Sequence, residues 1–107
     1  MAEEKNVFIH HVYFWLAEPG NAKHKQLLID GLLKLSKVTT IKRFYIGQPA
    51  GTSRDVIDSS YSVSWCLFFS NTADQDSYQV DPIHLRFIDE CKHLWNRVQV
   101  YDSVDAL

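Results

Sequence analysis

The stretch VFIHHVYFWL, residues 7–16, holds β-branched and aromatic residues and few helix formers, so it reads as a strand. Its alternate faces carry Ile9, His11, Tyr13 and Trp15 on one side and Phe8, His10, Val12, Phe14 and Leu16 on the other. Both are largely apolar. A strand in an antiparallel sheet with one wet face alternates apolar and polar residues. This one does not, so both faces of its sheet are expected to be covered.

The segments that follow supply the partners. EPGN (18–21) is a turn, and Asn21 can cap a helix over 22–37 whose buried stripe is Leu28, Leu32 and Leu35, flanked by Leu27 and Ile29. Lys34 and Lys37 suit the negative end of that helix. Gly31, inside it, costs about 1 kcal/mol relative to alanine, and is read as a close approach of the helix to the sheet. TTIKRFYIG (39–47) reads as a second strand. QPAGTSRDVIDSS (48–60) is a long loop for so short a chain, a length that often accompanies function, with an ordered surface excursion as the default. YSVSWCLFF (61–69) alternates cleanly, with Tyr61, Val63, Trp65, Leu67 and Phe69 opposite Ser62, Ser64, Cys66 and Phe68. TADQ (72–75) has the form of a capping box with Thr72 as the cap. The short helix it starts runs to about Val80. Asp81 then caps another, with Pro82 at its first position and Val80–Leu85 as a hydrophobic staple, running to Leu94–Trp95. RVQVYDS (97–103) is the last strand.

The order is β-α-β-β-α-β with a broken second helix, the signature of a single ferredoxin-like α+β domain over residues 1–107. Four antiparallel strands then carry helices on one face only. A dimer with two sheets stacked face to face covers the other, and Phe8, Val12, Phe14, Cys66 and Phe68 are expected to meet the partner sheet.

Composition agrees. The chain has 107 residues, enough for one hydrophobic core, and its 13% aromatic content leaves apolar material for a pocket or a subunit interface. The formal charge of −2 has its signs interspersed, and Lys23/Lys25 and Lys42/Arg43 do not extend into basic runs, which argues against nucleic acid as a partner. No apolar run is long enough to span a membrane, and MAEEKN lacks the apolar segment of a secretory signal. Cys66 and Cys91 have neither metal nor redox spacing, so reduced thiols in a cytoplasmic protein are expected rather than a disulfide.

Five histidines could carry chemistry. None pairs at the i,i+4 spacing of a helical zinc site and no cysteine joins them, so no metal is expected. His84 shares the inward face of its helix with Phe87, Ile88, Cys91 and Leu94, and sits in the first turn. The helix dipole and burial both disfavour imidazolium there. A neutral, inward imidazole can be a general base or bind a carbonyl; a core histidine satisfied by a backbone partner fits as well. Tyr78 lies six residues earlier, and the break at Asp81–Pro82 lets both rings turn toward one space. A phenol beside an imidazole suits enolisation of a ketone. Of His10 and His11, parity puts one inside the sheet–helix layer without saying which. His24 is placed at the exposed end of its helix stripe and His93 in solvent.

HHVYFWL, SYSVSWCLFF, DSYQVDPIHLRFIDECKHLW and VQVYDS together resemble the stress-responsive dimeric A/B barrel (Dabb) family over nearly the whole chain. The resemblance implies ferredoxin-like domains that pair through their sheets into an α+β barrel. It also implies a small-molecule-binding or stress-related domain with an apolar pocket between sheet and helices, and no cofactor. Relatives of the olivetolic acid cyclase type imply an alternative, a cofactor-independent cyclase with Tyr78 and His84 as the catalytic pair. They further imply that His11, Tyr13, Val63 and Trp65 line the pocket for a small apolar or aromatic ligand. A third reading is a monooxygenase of the related dimeric barrels, cofactor-free or haem-dependent, leaning on Trp15 or Trp65. The chain departs from the cyclase pattern at Asp81, Val63 and Trp65. The larger Trp65 implies a smaller or differently shaped cavity.

Overall fold

A computed structural model describes residues 5–107. Its elements are β1 (Phe8–Leu16), α1 (Ala22–Leu35), β2 (Arg43–Gly47), β3 (Val63–Phe69), α2 (Thr72–Val80), α3 (Pro82–Cys91) and β4 (Trp95–Val104), with a short 3-10 turn, Lys92–Leu94, before the last strand. The four strands form one antiparallel sheet in the order β2-β3-β1-β4. This is the ferredoxin-like arrangement, with all the helices on one face.

β1 is central and pairs along both of its edges, with β3 and β4. Residues opposite each other in register share a face. Phe8, His10, Val12 and Phe14 therefore lie with Phe69, Leu67, Trp65 and Val63 of β3, and all of them are buried beneath the helices. Ile9, His11 and Tyr13 share the other face with Phe68, Cys66 and Ser64. Phe8, Val12 and Phe14 were expected at a partner sheet and instead belong to the core. Cys66 and Phe68 do lie on the open face. Strand parity separates two faces, but it does not say which one the helices cover.

Leu28, Leu32 and Leu35 of α1 are buried as the stripe predicts. The close approach at Gly31 is to α3, not to the sheet. A Cβ there would lie 2.6 Å from Cys91 Sγ and 3.3 Å from the Phe87 ring. α1 ends at Leu35: the Ser36 amide makes the last α-helical bond, to the Leu32 carbonyl, and the Lys37 and Val38 amides bond only three residues back, to Lys34 and Leu35. That turn continues to Ile41, so β2 begins at Arg43, later than its sequence suggests.

The cap of α2 is Asn71 rather than Thr72: Asn71 is extended and its side chain accepts from the Asp74 amide at 2.8 Å. Asparagine outranks threonine as a cap, and the shift makes Thr72 the first helical residue. The break between α2 and α3 is as expected. Asp81 has extended backbone, its Oδ1 accepts from the Ile83 amide at 2.8 Å, and Pro82 opens α3. The staple does not form, since Val80 and Leu85 are both exposed. Asp81 and Pro82 mark the break without it. Both cysteines are free thiols, Cys66 half-buried and Cys91 buried.

Candidate functional site

The helix break brings two helix ends over the middle of the sheet. Beneath them lies a cavity of about 190 Å³. His10, Val12 and Phe14 from β1 and Trp65 from β3 form its floor. Tyr78 and Gln79 end α2 above it, His84, Phe87 and Ile88 come from α3, and Leu35 from α1. Trp95, Val98 and Val100 of β4 complete the wall. The lining is largely apolar, with His10, Tyr78 and His84 as its ionisable members.

His84 has a defined tautomer. Its Nδ1 lies 3.1 Å from the Gln79 carbonyl oxygen. A carbonyl only accepts, so Nδ1 carries the proton and donates. That carbonyl belongs to the last turn of α2, where carbonyls have no intrahelical partner. The neutral ring then holds a bare Nε2. Burial pushes the His84 pKa below the ordinary histidine value, and the neighbouring His10 pushes the same way; the Gln79 bond and Asp81 oppose them without reversing the direction. The expected backbone partner is the Gln79 carbonyl: it fixes the tautomer, while burial keeps the ring neutral.

Tyr78 is only 1% exposed, and its ring centroid is 4.7 Å from that of His84. The Trp65 indole N–H donates to the Tyr78 hydroxyl at 3.2 Å. The phenol's own O–H remains to donate. Burial raises the Tyr78 pKa well above the ordinary tyrosine value, against the smaller opposing effect of the Trp65 bond. Tyr78 therefore stays a neutral donor through the physiological range.

The third polar group is His10, whose ring lies 5.9 Å from that of Tyr78. Its Nδ1 is 2.6 Å from Asp102 Oδ1 on β4. The carboxylate accepts from Nδ1–H and fixes the ring's orientation. The two strands hold this pair in register, with His10 directly opposite Asp102.

Of the residues expected at the pocket, Tyr78, His84 and Trp65 converge there. Val63 is buried on the same sheet face but does not line the cavity. His11 and Tyr13 are on the opposite face, which corrects their expected place between sheet and helices. Their rings stack at 4.6 Å, and Tyr13 packs against Tyr61 and Tyr101. Tyr13 also lines a cleft on that face with Trp15, Tyr61, Arg97 and Gln99. His10 takes the place expected of His11. The one signal for it was composition: the face His10 shares with Val12, Phe14 and Leu16 carries no tyrosine or tryptophan, whereas that of His11 carries Tyr13 and Trp15. Asp102 had no such signal, because only the β1–β4 register brings it to His10.

Neither His24 nor His93 reaches the cavity. His24 is half-buried rather than exposed, with Nδ1 3.5 Å from Glu18 Oε2. Among the described residues, no group of three or more histidine, cysteine or acidic side chains is placed to hold a metal ion. No described helix is long and apolar enough to cross a membrane.

A four-stranded antiparallel sheet with a split helical layer defines the class as a ferredoxin-like α+β domain. Within it, the family model described as Stress responsive A/B Barrel Domain matches residues 9–105, and the chain belongs to that family. Curated protein sequences yield no match. Several solved structures share the fold. A dabb family protein with a ferredoxin-like fold from Mesorhizobium loti is 20% identical, with a TM-score of 0.76, over 92% of this chain and 96% of that one. A dimeric ferredoxin-like protein of unknown function from Thermobifida fusca is 13% identical, with a TM-score of 0.76, over 98% and 96%. The hydroxynitrile lyase of Passiflora edulis is 17% identical, with a TM-score of 0.78, over 95% of each chain. At these identities the likeness is one of fold.

Proposed function

We propose that the cavity binds a compact, largely apolar carbonyl compound, and that His84 and Tyr78 move protons on it without a cofactor. The observation that carries this is the bond from His84 Nδ1 to the Gln79 carbonyl, which leaves Nε2 as an unprotonated acceptor beside a neutral phenol. The Tyr78 O–H donates to the carbonyl oxygen. His84 Nε2 takes a proton from the carbon next to it, and the electron pair left behind moves onto the oxygen as an enolate held by Tyr78. Return of the proton from the imidazolium regenerates both groups. The volume of about 190 Å³ is below the ~300 Å³ at which sites for drug-sized ligands begin, so the ligand is small. His10, held by Asp102, supplies a third polar contact.

This reading makes the pocket both a binding site and a reaction site, and one experiment separates the two. A panel of small ketones and aldehydes is incubated with the protein in D2O, and deuterium uptake next to the carbonyl is followed by NMR. Uptake that His84→Ala reduces by about 10²-fold or more supports catalysis. Thermal stabilisation by the same compounds, surviving His84→Ala without any deuterium uptake, would reassign the site as a binding pocket only.

The open sheet face supports a second part of the reading, a homodimer through the sheets. Ile9, Tyr13, Trp15 and Phe68 are half-buried there in a single protomer, on a face no helix covers. A second copy of the same surface buries them further, in the isologous manner of two-fold dimers.

A further inference from the structure

A cavity larger than the one described above lies elsewhere on the molecule. It is a groove of about 460 Å³ on the outer surface, where α1 crosses α3. Leu33, Ile83 and Phe87 give it an apolar floor, closed beneath by Gly31 and Cys91. Leu33 is 46% exposed, which is high for a leucine beside a buried stripe. Lys34, Lys37 and Arg86 stand around the groove against a single carboxylate, Glu90. No ion pair within 4 Å engages any of those three cations among the described residues.

An apolar floor under a surplus of unpaired positive charge is complementary to an amphipathic anion. We propose that the α1–α3 groove binds a medium-chain carboxylate, its alkyl chain along Leu33, Ile83 and Phe87 and its head group among Lys34, Lys37 and Arg86. A docked protein is the weaker fit. A stable protein interface needs roughly 800 Å² from each partner, and this groove exposes only two large apolar residues, Leu33 and Ile83. A chain lying in a groove of this volume needs no such area. The occupant would also touch the inner site, because Phe87 is a wall of both cavities and stacks on Trp95 with ring centroids 5.7 Å apart.

The test is a titration of the isotope-labelled protein with dodecanoate below its micelle concentration, read from amide chemical shifts. Dodecyltrimethylammonium and an acidic amphipathic peptide are run in parallel. Saturable shifts confined to residues 31–37 and 83–91, absent with the cationic amphiphile, are expected. Reversing the charges (Lys34→Glu, Lys37→Glu, Arg86→Glu) weakens dodecanoate binding by roughly tenfold or more, three surface charges being lost together. All three side chains are exposed, so the substitutions leave the core packing untouched, and unchanged far-ultraviolet circular dichroism checks the fold; Leu33→Glu gives an independent loss of the chain contact. The proposal is overturned by shifts centred on His10, Tyr78 and His84. Equal binding of both amphiphiles, tighter binding of the peptide, or shifts that track protein concentration alone would overturn it too.

Discussion

His84 holds a neutral ring in a place that makes protonation unfavourable, and that has a consequence for stability. Its pKa is lower in the folded chain than the ordinary value of 6.5, and the same is true of half-buried His11 on the other sheet face. Just below pH 6.5 the unfolded chain therefore binds more protons than the folded one, and stability falls as pH falls. The loss begins near pH 6.5 and levels off once the folded histidines are protonated as well. Urea denaturation from pH 8 to pH 5 measures it. His84→Gln flattens the curve in part, leaving the share that belongs to His11. Deuterium uptake follows the protonation of His84 alone, falling on the acid side and staying level across neutrality. The His10–Asp102 pair makes a different prediction. Asp102→Asn replaces a carboxylate acceptor with an amide and weakens a charge-assisted bond, which costs about 1–3 kcal/mol of local interaction. Ligand affinity and deuterium uptake are expected to fall together, with the His10 ring signals shifted in the NMR spectrum and those of His84 unmoved.

At the scale of elements, the crossing of α1 and α3 is set by one missing methyl group. Gly31→Ala adds about 1 kcal/mol of helix propensity but places a methyl against Cys91 Sγ and the Phe87 ring, and overpacking costs roughly 1–3 kcal/mol. The net expectation is a destabilisation on the order of 1 kcal/mol, seen as a lower urea midpoint. Removing the nearer obstacle reverses most of it. In a Cys91→Ala background the same substitution is expected to be close to neutral, and a double-mutant cycle measures the coupling. The α2–α3 break is an element-scale device of another sort. It ends one helix early enough to leave the Gln79 carbonyl unpaired, and starts the next so that His84 can reach back to it. A single continuous helix would satisfy that carbonyl internally and leave the imidazole without its partner.

At the scale of the whole molecule, one sheet face is covered by helices and the other is not. The proposed dimer predicts a particle of about twice 12.4 kDa in light scattering. Tyr13→Glu puts a carboxylate in the middle of the open face, where burial against a second copy is unfavourable. It is expected to give monomers with unchanged far-ultraviolet circular dichroism. His84→Ala lies on the other side of the sheet and is expected to remain dimeric. A wild-type particle of 12.4 kDa at every concentration would sink the dimer.

The order of elements was legible in the chain because each is marked locally. Alternation marks β3, the leucine stripe marks α1, and Asp81–Pro82 marks the helix break. Tyr78 and His84 were legible for the same reason, since six residues across a break can be placed without knowing the rest. Element ends were less so. Asn71 competes with Thr72 for one cap, and the i+3 turns after Leu35 delay β2 to Arg43. Period-two alternation labels two strand faces without assigning either to the helices, and on that point His10 and His11 changed places. Asp102 stands 92 residues from His10. Only the pairing of the first strand with the last brings the carboxylate to the imidazole. Local chemistry is written in neighbouring residues; long-range register comes from the packing of the whole sheet.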